Sequence, residues 1–177
     1  MPRGTTHELW ANLLALPLSY LYYKFSHSLT DTSIFFFSFI FATFMLSPDL
    51  DTKSKSYSRW GIMRFIWIPY RKFMKHRDFL SHFPVISSAI RGIYLILSLI
   101  ILFSVISYII LLILSFGSSE YKKGFFDVLK ATSIMTAKTL LSIKKEYILA
   151  MFSGLFCGDT IHYLLDIFTS KIKSSTR

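Results

Sequence analysis

Ile93–Phe116 reads IYLILSLIILFSVISYIILLILSF, 24 residues without a single charge, and its reading decides the class of the protein. As a helix rising 1.5 Å per residue it is about 36 Å long, enough to cross the roughly 30 Å hydrocarbon layer of a bilayer. Its polar side chains are limited to Tyr94, Ser98, Ser104, Ser107, Tyr108 and Ser115, so a polar path through it is not expected and metal transport is a poor fit. Working outward, charge is also absent from Leu9 to Tyr23 and from Thr32 to Pro48. A fourth apolar run, Tyr147 to Ser170, is interrupted only by Asp159, His162 and Asp166.

The composition agrees. Of 177 residues 53% are hydrophobic and 18% aromatic, and the mean hydropathy is +0.48. Average soluble domains are roughly 45–50% apolar, and disordered, collagen-like and coiled-coil chains differ more. The lone Cys157 excludes an internal disulfide and a cysteine-based zinc site within one chain. The expected architecture is all-α: an integral membrane bundle of about four transmembrane helices plus interfacial helices, forming one domain over 1–177. The spans fall at roughly 8–25, 32–48, 92–116 and 147–168. Arg3 resembles the start of a secretory signal, but Glu8 interrupts it and no small-x-small site follows Tyr23, so the first helix is expected to be retained.

Twenty Lys and Arg against ten Asp and Glu give a net charge of +10. Nine of the basic residues lie between Asp49 and Arg91. By the positive-inside tendency this basic 49–91 connection is cytoplasmic, and four crossings then put both termini on the same side. Within it, Trp60, Phe65, Trp67, Tyr70 and Phe73 alternate with Arg64, Arg71, Lys72 and Lys75, which suits anionic lipid headgroups; Pro69 is expected to break or end any helix there. Nucleic acid is not the expected partner. The segment holding Lys122, Lys123, Lys130, Lys138, Lys144 and Lys145 then falls on the opposite side, where the apolar face of Phe125, Phe126, Leu129, Leu140, Leu141 and Ile143 suits a surface helix.

Ionisable side chains are costly inside a membrane and normally face a cavity, a partner or a metal. Spacing places Asp159, His162 and Asp166 on one face of the last helix. Asp49 and Asp51 stand where the second run stops, His76 and His82 flank Arg77 in the connection, and His7 with Glu8 opens the first helix. In the four-crossing topology all of these meet at one leaflet. Each cluster alone is also compatible with ordinary packing or solvation; their convergence is what argues for a site. Neutral imidazoles and carboxylates without thiols suit zinc first, then manganese or iron. Seven candidates, His7, Asp49, Asp51, His76, His82, His162 and Asp166, exceed the needs of one four-coordinate ion and leave room for two. Arg77 is placed to pair with a ligand carboxylate or a substrate phosphate, and Glu8 to act as a general base or outer partner.

The motifs Met-Pro-Arg-Gly-Thr-Thr-His7, Pro48-Asp-Leu-Asp51, Arg59-Trp-Gly61, Ile66-Trp-Ile-Pro-Tyr70, His76-Arg-Asp-Phe-Leu-Ser-His82 and His162-Tyr-Leu-Leu-Asp166 resemble, over nearly the whole chain, an uncharacterised bacterial family of metal-binding membrane proteins. The ligand skeleton alone is similar to the membrane-bound metal-dependent hydrolases, and the late His-Tyr-x-x-Asp is distantly similar to zinc phospholipase C and P1 nuclease. The resemblance implies metal binding at the same seven positions and gives Asp159 no counterpart. It leads to the expectation of a metal-dependent hydrolase acting on a phosphoester in a lipid or membrane-associated substrate, with the site facing the cytoplasm from the inner membrane. The alternative is a non-catalytic membrane protein with a structural metal.

Overall fold

A computed structural model describes residues 4–74, 84–114 and 124–175, with side chains over 8–74, 84–114 and 124–168. Among the described residues all regular structure is helical. The chain divides into two compact units, Met1–Arg91 with Lys144–Arg177, and Gly92–Ile143.

In the first unit, α1 (Gly4–Ser26) and α2 (Leu29–Phe44) form a hairpin. His27 turns the chain with φ of +52°, and Ser28 caps α2 by accepting the Asp31 N–H at 3.3 Å. Ala11 and Ala15, four apart on α1, present a small face to Phe39 of α2, and Leu18, Phe36, Ile40, Cys157 and Ile161 close around them. Beyond α2 come a 3-10 turn (Pro48–Asp51), α3 (Lys55–Arg59), a second 3-10 segment (Gly61–Ile66) and α4 (Trp67–Phe73). Pro69 does not break α4. It occupies the third helical position, where the missing N–H has no intrahelical acceptor to lose.

The aromatic residues of this connection divide between core and surface. Trp67 and Tyr70 are buried, and Trp67 packs edge-on against both Tyr70 and Trp60, whose indole donates to the Met45 carbonyl at 2.8 Å. Phe73, Ile62 and Phe65 remain exposed.

Helix α7 (Lys145–Ser175) packs along α2. Gly154 and Gly158 make this possible, since a Cβ on Gly154 would lie 2.4 Å from the Phe35 carbonyl oxygen and one on Gly158 2.8 Å from the Ala42 Cβ. Small residues four apart let two backbones approach where lipid, as apolar as leucine, provides no hydrophobic drive for helix association.

The second unit contains most of α5 (Pro84–Leu114) and α6 (Phe125–Ser142). In α6, Phe126, Met135 and Leu141 are exposed. An apolar cavity of about 880 Å3 separates α5 and α6, lined by Ile96, Phe103, Leu111, Met135 and Leu140.

Three helical segments among the described residues, Leu29–Asp51, Pro84–Leu114 and Lys145–Phe168, are long and apolar enough to cross a membrane. The expected fourth, α1, is 23 residues long but is not one of them. Glu8, Asn12, Ser19 and its tyrosines dilute its apolar character.

Candidate metal centre

Ala150, Gly154, Gly158, His162 and Asp166 recur every four residues along α7, so the face that packs on α2 ends in an imidazole and a carboxylate. The close approach at the glycines delivers His162 to the chain that leaves α2. There Pro48 and Leu50 are buried, and Ser47 accepts the Asp49 N–H at 3.4 Å, which holds the 3-10 turn and directs Asp49 toward α7. His162 Nε2 lies 3.6 Å from Asp49 Oδ2 and 3.6 Å from Asp166 Oδ2. The imidazole is buried, and the carboxylates are partly exposed.

Next to this arrangement is a cavity of about 150 Å3 whose lining includes Glu8, Asp49 and His162. Glu8 is held by Arg59, with Oε1 2.9 Å from Nη2. Arg59 in turn donates to the Phe44 carbonyl at 3.3 Å and lies over the Phe44 ring, so it ties α1 and the end of α2 to α3.

Asp159 does not join the ligand face. Three residues before His162, it points to the first turns of α5, where it is paired with Arg91 and accepts a hydrogen bond from Ser88. Arg91 is fully buried and Asp159 1% exposed. Arg91 is therefore not part of the solvent-facing basic charge of the connection. Tyr70 of α4 also bonds to this guanidinium. Burial pushes the Tyr70 hydroxyl above its ordinary 10.0; Arg91 pulls it back, while Asp51 and Asp159 raise it. Asp51 is buried in the same 3-10 turn, and its backbone carbonyl accepts a hydrogen bond from Arg71 Nε at 3.4 Å.

The structure thus brings Asp49, His162 and Asp166 together, with Glu8 lining the adjoining cavity. His76, Arg77 and His82 lie outside the described residues, as does the His7 side chain. Gly154, Gly158 and Arg91 were not singled out by the sequence reading; the four-residue spacing of the glycines with His162 is the signal that points to them.

The donors fit a divalent ion in kind and in two spacings. Atoms bound to one ion at about 2.0–2.2 Å and a tetrahedral angle are about 3.3–3.6 Å apart, close to both His162 distances. Among the described residues, however, no group of three His, Cys, Asp or Glu closes around a single point.

Among the described residues the chain is all-α, with three helices long and apolar enough to cross a membrane and a buried histidine between two carboxylates as an N/O donor set. It belongs to the family described as uncharacterized metal-binding protein (DUF2227), which matches residues 2–176. A relative from Aquifex aeolicus (strain VF5), described as an uncharacterized protein, is 38% identical over 58 residues, covering 32% of this chain and 40% of the relative. No solved structure matches.

Proposed function

We propose that the protein is a membrane-embedded metal-dependent hydrolase acting on a phosphoester of a lipid or other membrane-associated substrate at the cytoplasmic face. The observation that carries this reading is the position of His162 Nε2, 3.6 Å from both Asp49 Oδ2 and Asp166 Oδ2, beside a polar cavity that also reaches Glu8. A purely structural metal needs no cavity at its ligands, whereas a catalytic one needs room for a reactant. Zinc leads manganese and iron as the resident ion.

Asp49, His162 and Asp166 form the core of the ligand set, with His7, Asp51, His76 and His82 as the further candidates, enough for one or two ions. A divalent ion in such a site supplies Lewis acidity toward a phosphoryl oxygen and acidifies a bound water. Glu8, oriented by Arg59, is positioned to accept a proton at the cavity. Arg77 is assigned to the substrate phosphate. The exposed Ile62, Phe65 and Phe73, with the basic residues around them, dock the protein surface on anionic headgroups. Three apolar helices provide the membrane anchorage.

The test is turnover by metal-loaded protein across phospholipid, nucleotide and phosphodiester substrates. The proposal requires metal-dependent hydrolysis of at least one, abolished in Glu8→Gln with metal content unchanged. Bound metal with no turnover on any of them counts against it and favours a structural metal, whose removal then unfolds the protein.

A further inference from the structure

The cavity beside His162 is lined by two kinds of group. Glu8, Asp49 and His162 accept protons or bind metals; Ser47, Ser54, Ser56 and Lys55 donate. Ser47 Oγ accepts the Asp49 N–H and Ser54 Oγ accepts the Tyr57 N–H at 3.2 Å, and neither bond uses the hydroxyl's own proton. Ser56 is 6% exposed, and its hydroxyl makes no hydrogen bond among the described residues.

An anion is admitted once the metal is bound. Arg59 pairs with Glu8, and a divalent ion held by Asp49 and His162 would offset the Asp49 carboxylate, leaving the Lys55 ammonium, which has no carboxylate partner among the described residues. Three hydroxyl donors and one cation around a small space match the several oxygens of a phosphoryl group, and hydrogen bonds to such an ionised acceptor are about twice as strong as neutral ones.

We propose that this cavity is an oxyanion subsite in which Lys55, Ser47, Ser54 and Ser56 hold one phosphoryl group against Asp49 and His162. The proposal rests on the phosphoester reading above and narrows it. A volume of about 150 Å3 is the share of about five liquid waters and lies below the roughly 300 Å3 at which pockets for whole small molecules begin. The cavity admits the phosphoryl group alone, and the remainder of the substrate stays outside. Lys55 supplies the point charge, and the serines, Ser47 and Ser56 buried and Ser54 half-buried, select for oxygen number and geometry.

The experiment uses full-length, metal-loaded protein in micelles of a phosphate-free maltoside detergent, titrated with inorganic phosphate and followed by calorimetry and 31P NMR. Lys55→Met and Ser56→Ala are each expected to weaken phosphate binding about tenfold or more, about 1.4 kcal/mol, with metal stoichiometry unchanged. Adding phosphatidic acid to the micelles separates the sources: displacement of inorganic phosphate assigns the subsite to a lipid headgroup, and its persistence assigns it to a soluble phosphate. Wild-type protein that binds metal but no phosphate overturns the subsite. So does phosphate binding that Asp49→Asn abolishes and both donor substitutions leave intact, a result that still permits hydrolysis. Phosphate binding as expected, without turnover on any phosphoester, removes the hydrolase reading and leaves the subsite.

Discussion

Arg91 of α5 and Asp159 of α7 form an ion pair from which water is excluded: the arginine is fully buried and the aspartate 1% exposed. Ser88 also bonds the Asp159 carboxylate, so the pair is embedded in a polar network rather than isolated. Desolvation opposes such a pair, and what stabilises it is mutual attraction plus the extra hydrogen bonds. Its structural effect is to join the start of α5 to the turn of α7 that precedes His162.

Removing either partner strands a charge. Arg91→Met or Asp159→Leu alone is expected to destabilise by about 3–5 kcal/mol, whereas the double apolar replacement recovers most of that loss. Thermal unfolding in detergent over the four proteins of the cycle checks this. Because Asp159 is not on the ligand face, the double variant is also expected to keep wild-type metal content.

Gly154 tests how the site is positioned. Its Cβ would meet backbone, the Phe35 carbonyl oxygen at 2.4 Å, and backbone cannot rotate away. Gly154→Val should push α7 from α2, cost about 1–3 kcal/mol as overpacking does, and weaken metal binding by separating His162 from Asp49. Gly92→Ala is the control, since its Cβ would meet nothing within 4 Å. Equal metal affinity in Gly154→Val and wild type would show that the close α2–α7 approach does not set the site.

Tyr70 predicts an alkaline limit. Its hydroxyl titrates above 10.0 in the folded protein because burial disfavours the phenolate. Below about pH 10 the group is protonated in both states and contributes no pH dependence. Above it the unfolded chain loses the proton first, so stability falls until the folded pKa is reached. Denaturation at pH 9 and pH 11 should show a smaller loss in Tyr70→Phe than in wild type; equal losses would contradict a buried, neutral hydroxyl.

The helical class is readable because the charge-free runs are long enough for helices and lack the charges that a bilayer would penalise. The pairing of His162 with Asp166 was readable from a four-residue spacing, and Asp49 from its place at the end of a span. Asp159 was not. A spacing of three puts it on the edge of the ligand face, and whether it turns to the ligands or to α5 depends on Arg91 lying across from it, a long-range contact that no local pattern carries. The burial of Arg91, and of Trp67 and Tyr70 where the sequence suggests an interfacial surface, is hidden for the same reason. Pro69 was read as a helix breaker because its tolerance depends on where the helix starts.

The central claim is that Asp49, His162 and Asp166 hold the metal, and metal content per chain measures it most directly. Purified wild type, Asp49→Asn, His162→Ala, Asp166→Asn and Asp159→Asn are compared by elemental analysis after equilibration with zinc, each checked for retained helicity. The account predicts loss of bound metal in the first three variants and wild-type content in Asp159→Asn. Folded His162→Ala protein that keeps wild-type stoichiometry and affinity would contradict it.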